Sequence, residues 1–376
     1  MVAIARSAFA AAFFLLAATA AAPSGASAQV NWRDLVFTGG VSGVGYWGNL
    51  PAITVSAVDS TEEASAIVGE FGVRGAIDLI QHEEREFGLE FDGGLRQFVA
   101  GGFTSRDYAP KELVGTVDLS FRETMGSLGE LRLLGGLSGR RVDDRPPMPL
   151  FIQPGYGAAE GSVSLNLFPI RGIYYDVQVF GEVADYSTTD LAPQLALLDR
   201  KVLGTEVGAI WENGWTVRGY LGFKASEYKN QGTFEPSDPV RRDKTYSLGA
   251  LWTYQSSFIA RLGVEGALNR SNSSRPEYDA MRVQAFVIVP VPMDFTLSFS
   301  ADITTKRYLT KTEYVQLVPG EEADNASIVY LEASRPLYQN LDSAFRVGWT
   351  RAEENIGRSY FERFGVSVLF RYRPWQ

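Results

Sequence analysis

From Asp34 to Tyr372 the sequence alternates between apolar residues and polar or small ones, in segment after segment. The last segment shows the pattern most plainly. Phe364, Val366, Val368, Phe370 and Tyr372 hold one parity, and Gly365, Ser367, Leu369, Arg371 and Arg373 hold the other. Successive side chains on a strand point to opposite faces, so a period of two sustained over this length means a strand with one apolar and one polar face. Ten residues is also about the length of a tilted strand that crosses a bilayer. A chain built this way must form sheets, and each sheet must satisfy its edges.

Sixteen such segments can be read along the chain. Strand 2, for example, sets Ile67, Phe71, Val73, Ile77 and Leu79 against Glu70, Arg74 and Asp78. Strand 9 sets Val217, Leu221 and Phe223 against Arg218, Tyr220 and Lys224. The connections alternate in length. Tight ones fall at Gln81–Glu84, Met125–Leu128 and Gln255–Ser257, and turns are expected around Pro169, Pro290 and Pro336. The sharpest is Glu212-Asn213-Gly214-Trp215, an Asn-Gly pair between alternating strands, which is the signature of a type I′ hairpin. Longer connections fall at Gly48–Glu63, Gly101–Pro110, Val142–Gly155, Tyr186–Arg200 and Leu309–Ala323.

An aromatic-rich final strand followed by Trp375 resembles the closing strand of Gram-negative outer-membrane β-barrels, although Gln376 follows the Trp where that family usually ends on an aromatic. The resemblance implies that Phe370, Tyr372 and Trp375 serve barrel closure, that barrel-assembly machinery reads this strand, and that it zips against strand 1. Short turns at one end and long loops at the other agree with that family, in which both termini are periplasmic. Aromatics also fall at two levels. Trp211, Trp215, Phe121, Phe168, Tyr254, Phe258, Phe295 and Trp375 lie at the tight-turn ends, and Trp47, Phe98, Tyr108, Tyr228, Tyr308 and Trp349 near the loop ends. Two levels bracketing an aliphatic band are what the two interfaces of a membrane select. The expected fold is therefore all-β, a transmembrane antiparallel up-and-down barrel of about sixteen strands in the outer membrane, similar to general porins.

Arg6, the apolar run Ser7–Ala22, the break at Pro23–Gly25 and the small-residue site Ala26-Ser27-Ala28 read as a cleaved secretory signal over residues 1–28. Residues 29–376 then form a single domain. With no Cys there is no lipoprotein anchor, disulfide or thiolate metal site. The net charge of −9 becomes −10 when Arg6 leaves. That balance disfavours nucleic acid and predicts no basic patch for anionic lipid.

Enzymatic constellations are sparse, and neither a cofactor nor a metal is expected. The single histidine, His82, falls in a tight turn beside Glu83 and Glu84. Gly39–Gly45 sits inside strand 1 with no helix behind it, unlike a dinucleotide loop. Acidic loops at Asp59–Glu63 and Gly320–Asp324 read as solvated. Two loops are unusually apolar, Asp143–Pro154 and Leu191–Leu198, and need cover inside the lumen or against a second protomer of a homo-oligomer. By loop order the porin resemblance implies that Asp143, Asp144 and Arg145 begin a loop that narrows the pore.

The polar parity divides by charge. Its first half carries twelve acids, among them Glu90, Asp92, Asp118, Glu130, Asp176 and Glu182, against five bases. Its second half carries eight bases, among them Arg218, Lys224, Arg261, Arg282, Arg346 and Arg371, against four acids. Rolled into a cylinder, this makes one wall acidic and the opposite wall basic. Two readings follow: a passive channel for small hydrophilic solutes or ions, or a non-conducting structural or surface-binding barrel whose lumen these charges zip shut.

Overall fold

The computed structural model describes residues 31–48, 62–103, 106–144, 155–170, 172–186, 198–232, 239–273, 277–309, 327–355 and 359–374. The leader segment 1–28, most of the two acidic loops, the apolar loop segments 145–154 and 191–197, and Trp375 lie outside them. Sixteen strands follow in order: β1 (Asn31–Gly48), β2 (Glu63–Gln81), β3 (Arg85–Gly101), β4 (Lys111–Met125), β5 (Gly129–Asp143), β6 (Tyr156–Ile170), β7 (Ile173–Tyr186), β8 (Arg200–Glu212), β9 (Thr216–Gly232), β10 (Val240–Gln255), β11 (Ile259–Ser271), β12 (Tyr278–Val291), β13 (Phe295–Tyr308), β14 (Ser327–Tyr338), β15 (Leu341–Asn355) and β16 (Ser359–Tyr372). Each pairs with its neighbours in sequence, and β16 pairs antiparallel with β1 from Phe37↔Tyr372 to Gly48↔Phe361. No sheet edge remains, which is the condition for a sheet to sit in hydrocarbon.

The expected type I′ turn does not form at Asn213-Gly214: Glu212 pairs with Thr216, and of the three residues between them only Gly214 has positive φ where that turn needs two. Gly214 has φ 67° and the Asn213 N–H donates to the Trp215 carbonyl at 2.8 Å. Met293 and Asp294 both adopt positive φ, 66° and 60°, as consecutive central residues of a type I′ turn must. The prolines expected to make turns instead lie within strands. The β12–β13 turn falls at 292–294 and the β14–β15 turn at 339–340, while Ile170 at the end of β6 pairs with Ile173 at the start of β7. Register shifts at Leu167/Ile170 and Pro336/Tyr338 absorb Pro169 and Pro336, and Pro290 lies beyond Ile288, the last β12 residue paired with β11. Proline lacks a ladder donor, and bulges and strand ends are where that costs little.

The alternation resolves into an outside and an inside. Ile67, Val99, Leu203, Leu221 and Leu248, all on the outward parity, are each more than 60% exposed. An apolar face this open around a whole cylinder fits hydrocarbon and no aqueous environment. The fold is a transmembrane antiparallel up-and-down barrel. Trp211 packs edge-on against Trp215 at 4.7 Å and Tyr254 against Phe258 at 4.9 Å, at the tight-turn end. Trp47 and Trp349 share the outward parity at the other end. Phe98, Tyr108, Tyr228 and Tyr308 do not join that belt. The three on strands share the inward parity, and Tyr108 packs with Phe98 inside the barrel. A high β propensity placed these rings in strands, but not on the lipid face.

Buried apolar residues cluster on the inward face at the loop ends of β1–β3. Tyr46, Ala64, Ala66, Val68, Phe98, Ala100 and Tyr108 form one group, with Val44, Phe103 and Val142 against it. Their outward neighbours Ile67 and Val99 are exposed, so the cover comes from within the lumen, supplied by the β3–β4 connection. At the closing seam Leu369, only 2% exposed, lies over Gly40. A Cβ on Gly40 would stand 2.5 Å from both Leu369 Cδ2 and the Val368 carbonyl oxygen, so only glycine fits there.

Candidate permeation pathway

The barrel encloses a cavity of 1070 Å³. On one side it is lined by Glu90, Asp118, Glu160 and Glu182 from β3, β4, β6 and β7. On the other it is lined by Lys224, Arg241, Arg282 and Lys306 from β9, β10, β12 and β13. The same lining includes Arg200 beside the acids and Asp243, Glu265 and Asp302 beside the bases, so the second side is close to balanced in charge.

Most of the individual charges, however, are held in local pairs. Arg218 donates from Nε to Asp176 Oδ1 at 3.1 Å and from Nη2 to Glu206 Oε1 at 2.5 Å, tying the start of the basic wall to the end of the acidic one. Gly208 lies beneath this pair, and a Cβ there would stand 2.3 Å from Asp176 Oδ1. Arg346 (Nη2, 2.7 Å) and Arg371 (Nη2, 2.8 Å) share Glu332 Oε2. Arg282 donates from Nε to Asp302 Oδ1 at 2.8 Å, and Gln284 supports the same carboxylate at 3.0 Å. Glu130 holds Arg132 and, at 3.3 Å, Arg122. Glu182 accepts from Arg200 at 3.0 Å, and Glu90 pairs with Arg33.

A smaller set keeps its field. Asp118 and Glu160 converge over Gly136 of β5, where a Cβ would stand 2.5 Å from Asp118 Oδ1 and 3.0 Å from Glu160 Oε1. Neither carboxylate has a side-chain partner among the described residues, nor does Lys224 on the opposite wall. Asp92, exposed on the inward face opposite Arg74 and Thr116, and Arg261, exposed near the β10–β11 turn, are likewise without ion pairs among the described residues.

The remaining sequence-derived residues divide as follows. Asp143 ends β5 on the outward face, beside Arg141 at 3.1 Å. Asp144, with φ 53°, turns toward the β3–β4 connection and accepts from Arg106 Nη2 and from the Ala109 N–H, both at 2.9 Å. Arg145 lies outside the described residues. Phe370 and Tyr372 face outward on β16, opposite Gly39 and Phe37. His82 is exposed in the β2–β3 turn, its N–H donating to the Arg85 carbonyl at 2.8 Å. Among the described residues no three His, Cys, Asp or Glu side chains are placed to hold a metal ion.

The sequence reading missed the pair Arg241 and Asp243. Arg241 Nη2 donates to Asp243 Oδ2 at 2.6 Å, and the guanidinium lies 4.1 Å from the Tyr228 ring centre. Arg241-Arg242-Asp243-Lys244 carries charge on both faces, so no apolar parity marked it as strand. The inward apolar cluster at Tyr46 was missed because its members alternate like any membrane-facing residues.

No protein-family model matches the chain, and no curated protein matches it in sequence. Solved barrels align along nearly its whole length. OprD, an outer membrane protein from Pseudomonas aeruginosa, covers 93% of this chain and is covered over 96%, at 10% identity and a TM-score of 0.42. The Pseudomonas putida toluene transporter TodX covers 91% and is covered over 89%, at 9% identity and 0.42. The translocator domain of the Neisseria meningitidis autotransporter NalP covers 98% and is covered over 97%, at 12% identity and 0.29. Similarity at this level assigns no role. The chain's own geometry, sixteen strands closed β1 to β16 with an apolar outside and a charged inside, is that of a porin-like outer-membrane barrel.

Proposed function

We propose that this protein is a passive outer-membrane channel for small hydrophilic solutes or ions. The observation that carries the reading is the charged cavity, where Asp118 and Glu160 have no ion pair on one wall while Lys224 and Glu265 face it from the other. A lining of this kind orients dipolar solutes and disfavours apolar ones, and selectivity then follows from width and lining charge without any chemistry. The asymmetry of the connections supports periplasmic termini, with the long loops outside the cell. The apolar run Ser7–Ala22 and the Ala26-Ser27-Ala28 site support delivery by a cleaved signal, and the alternating strands with their apolar outside support insertion by the assembly machinery into outer-membrane lipid.

The test is conductance of the refolded barrel in a planar bilayer, with reversal potentials in a salt gradient. Discrete single-channel steps support the reading. A barrel shown folded by heat-modifiable migration that passes no current would overturn it in favour of a structural or surface-binding role.

A further inference from the structure

One row of inward residues runs in register from β7 to β13. Phe180 pairs with Gly204, Gly204 with Lys224, and Lys224 with Thr245. Thr245 pairs with Asn269, Asn269 with Tyr278, and Tyr278 with Tyr308. Phe180 lies midway along β7, whereas Tyr278 begins β12 and Tyr308 ends β13. The row therefore climbs from mid-depth to the loop-end mouth, as hydrogen-bonded rows do in a barrel of tilted strands. Every member except Gly204 lines the cavity.

The lower end is built around a ring. A Cβ on Gly204 would stand within 2.8 Å of three Phe180 ring carbons, so the ring lies across β8 and turns its other face to the cavity. Tyr220 and Tyr330 lie over Gly249 and Gly348 in the same way, but neither lines the cavity. Polar groups surround the Phe180 face. Ser162 is in register beside it, and Gln178 is two residues along its own strand. Glu160 on β6 and Lys224 on β9 stand on opposite sides, about 14 Å apart along the wall at about 4.8 Å per strand. Glu182 accepts from Arg200 Nε at 3.0 Å, which leaves that part of the surround neutral. At the upper end Tyr278 and Tyr308 meet near-perpendicular with ring centres 5.8 Å apart, and Lys306 Nζ lies 4.1 Å from the Tyr278 centre. Between the two ends, Thr245 Oγ1 donates to Asn269 Oδ1 at 2.8 Å.

We propose that this row is a binding track for neutral pyranose sugars; the proposal names a solute class for the channel and rests on that reading. A pyranose has apolar C–H faces and a rim of hydroxyls that each donate and accept. Phe180 offers a flat apolar face, and around it Glu160 accepts, Lys224 donates, and Gln178 and Ser162 do both. An aromatic surface with a few placed polar groups is the general form of a small-molecule site. An amino-acid zwitterion fits less well, because its two charges sit on one carbon and cannot meet Glu160 and Lys224 across the ring. The near balance of charge along the second wall likewise favours a neutral solute over an ion.

The experiment is saturation-transfer NMR on the barrel folded in a detergent without a sugar headgroup. The probe is methyl β-glucopyranoside, whose equatorial hydroxyls leave both faces apolar, and the control is sorbitol, an open-chain polyol. Irradiating the aromatic protons should transfer saturation to the glucoside and not to sorbitol. Phe180→Leu should weaken glucoside binding about fivefold, and Phe286→Leu, an inward ring outside the cavity, should not. Equal transfer to both solutes would overturn the track, as would wild-type affinity in Phe180→Leu or an equal loss in Phe286→Leu. Heat-modifiable migration checks that each variant folds. If Phe180→Leu does not, Tyr308→Leu is read by the same criteria. Single-channel conductance of the same protein separates the two readings. Conductance without glucoside binding would overturn the track and leave the channel, whereas binding without conductance would uphold the track as a site in the lumen and overturn the channel.

Discussion

Arg218 on β9 reaches over Gly208 to Asp176 on β7, Nε to Oδ1 at 3.1 Å, passing the strand between them. Glu206 on that intervening strand completes the cluster, and all three side chains are less than a quarter exposed. Replacing Arg218 with Met leaves two carboxylates facing one another with no cation. Breaking a largely buried pair by removing one partner costs up to about 3–5 kcal/mol. The midpoint of urea unfolding from lipid vesicles should fall accordingly. Adding Asp176→Asn to Arg218→Met should recover part of the loss, and no recovery would mean that the arginine acts by packing alone.

Facing is tested on adjacent parities. Leu221 lies outward near the middle of β9 and is 62% exposed to the bilayer side. Leu221→Arg should cost about 2–4 kcal/mol, the penalty for a cation near the midplane. Ser298→Arg, on the inward face of β13, should fold normally. Equal unfolding midpoints for the two would contradict the assigned faces.

Conduction should follow the unpaired charges rather than the paired ones. Asp118→Asn with Glu160→Gln should lower cation preference, and Lys224→Glu should raise it, both read as shifts of reversal potential. The shifts should shrink in molar salt, where the screening length falls from about 10 Å at 0.1 M to about 3 Å. Arg346→Gln, whose positive charge is already shared with Glu332, should move the potential less. An effect of Arg346→Gln larger than that of Lys224→Glu would show that the paired charges set selectivity.

The inward apolar cluster makes a separate prediction about width. Tyr108 is 3% exposed and meets Phe103 edge-on at 4.9 Å. Truncation to Ala removes the ring that anchors the β3–β4 connection, at a cost of about 3–5 kcal/mol by analogy with other buried aromatics. Single-channel conductance should rise while ion preference stays constant. Unchanged conductance in a folded Tyr108→Ala barrel would mean that this connection does not narrow the path.

The fold was legible because each β segment repeats one rule, and sixteen repetitions of it survive local exceptions. Pro290 and Pro336 misled the turn positions because a proline at a strand end looks, in sequence, like a proline in a turn. Of the charges read as pore-lining, Glu90, Asp118, Glu182, Lys224 and Arg282 line the cavity, whereas Asp92, Glu130, Asp176, Arg218, Arg261, Arg346 and Arg371 do not. What remained hidden was pairing. Nothing in the spacing of Arg218 and Asp176, 42 positions apart, says that they meet, because that depends on register through an intervening glycine. Phe98 and Tyr108 were misplaced for a related reason. An aromatic near a strand end is selected equally by a membrane interface and by a loop folded inward.

The closing seam has a consequence for biosynthesis. Leu369 covers Gly40, so a residue near one end of the described chain caps a bare stretch of backbone near the other. During translation that stretch stays uncapped until almost every strand has been made. Closure is therefore a length check as well as a structural join. A chain that stops before Leu369 leaves the first strand without its lid and with an open hydrogen-bonding edge, which hydrocarbon cannot satisfy.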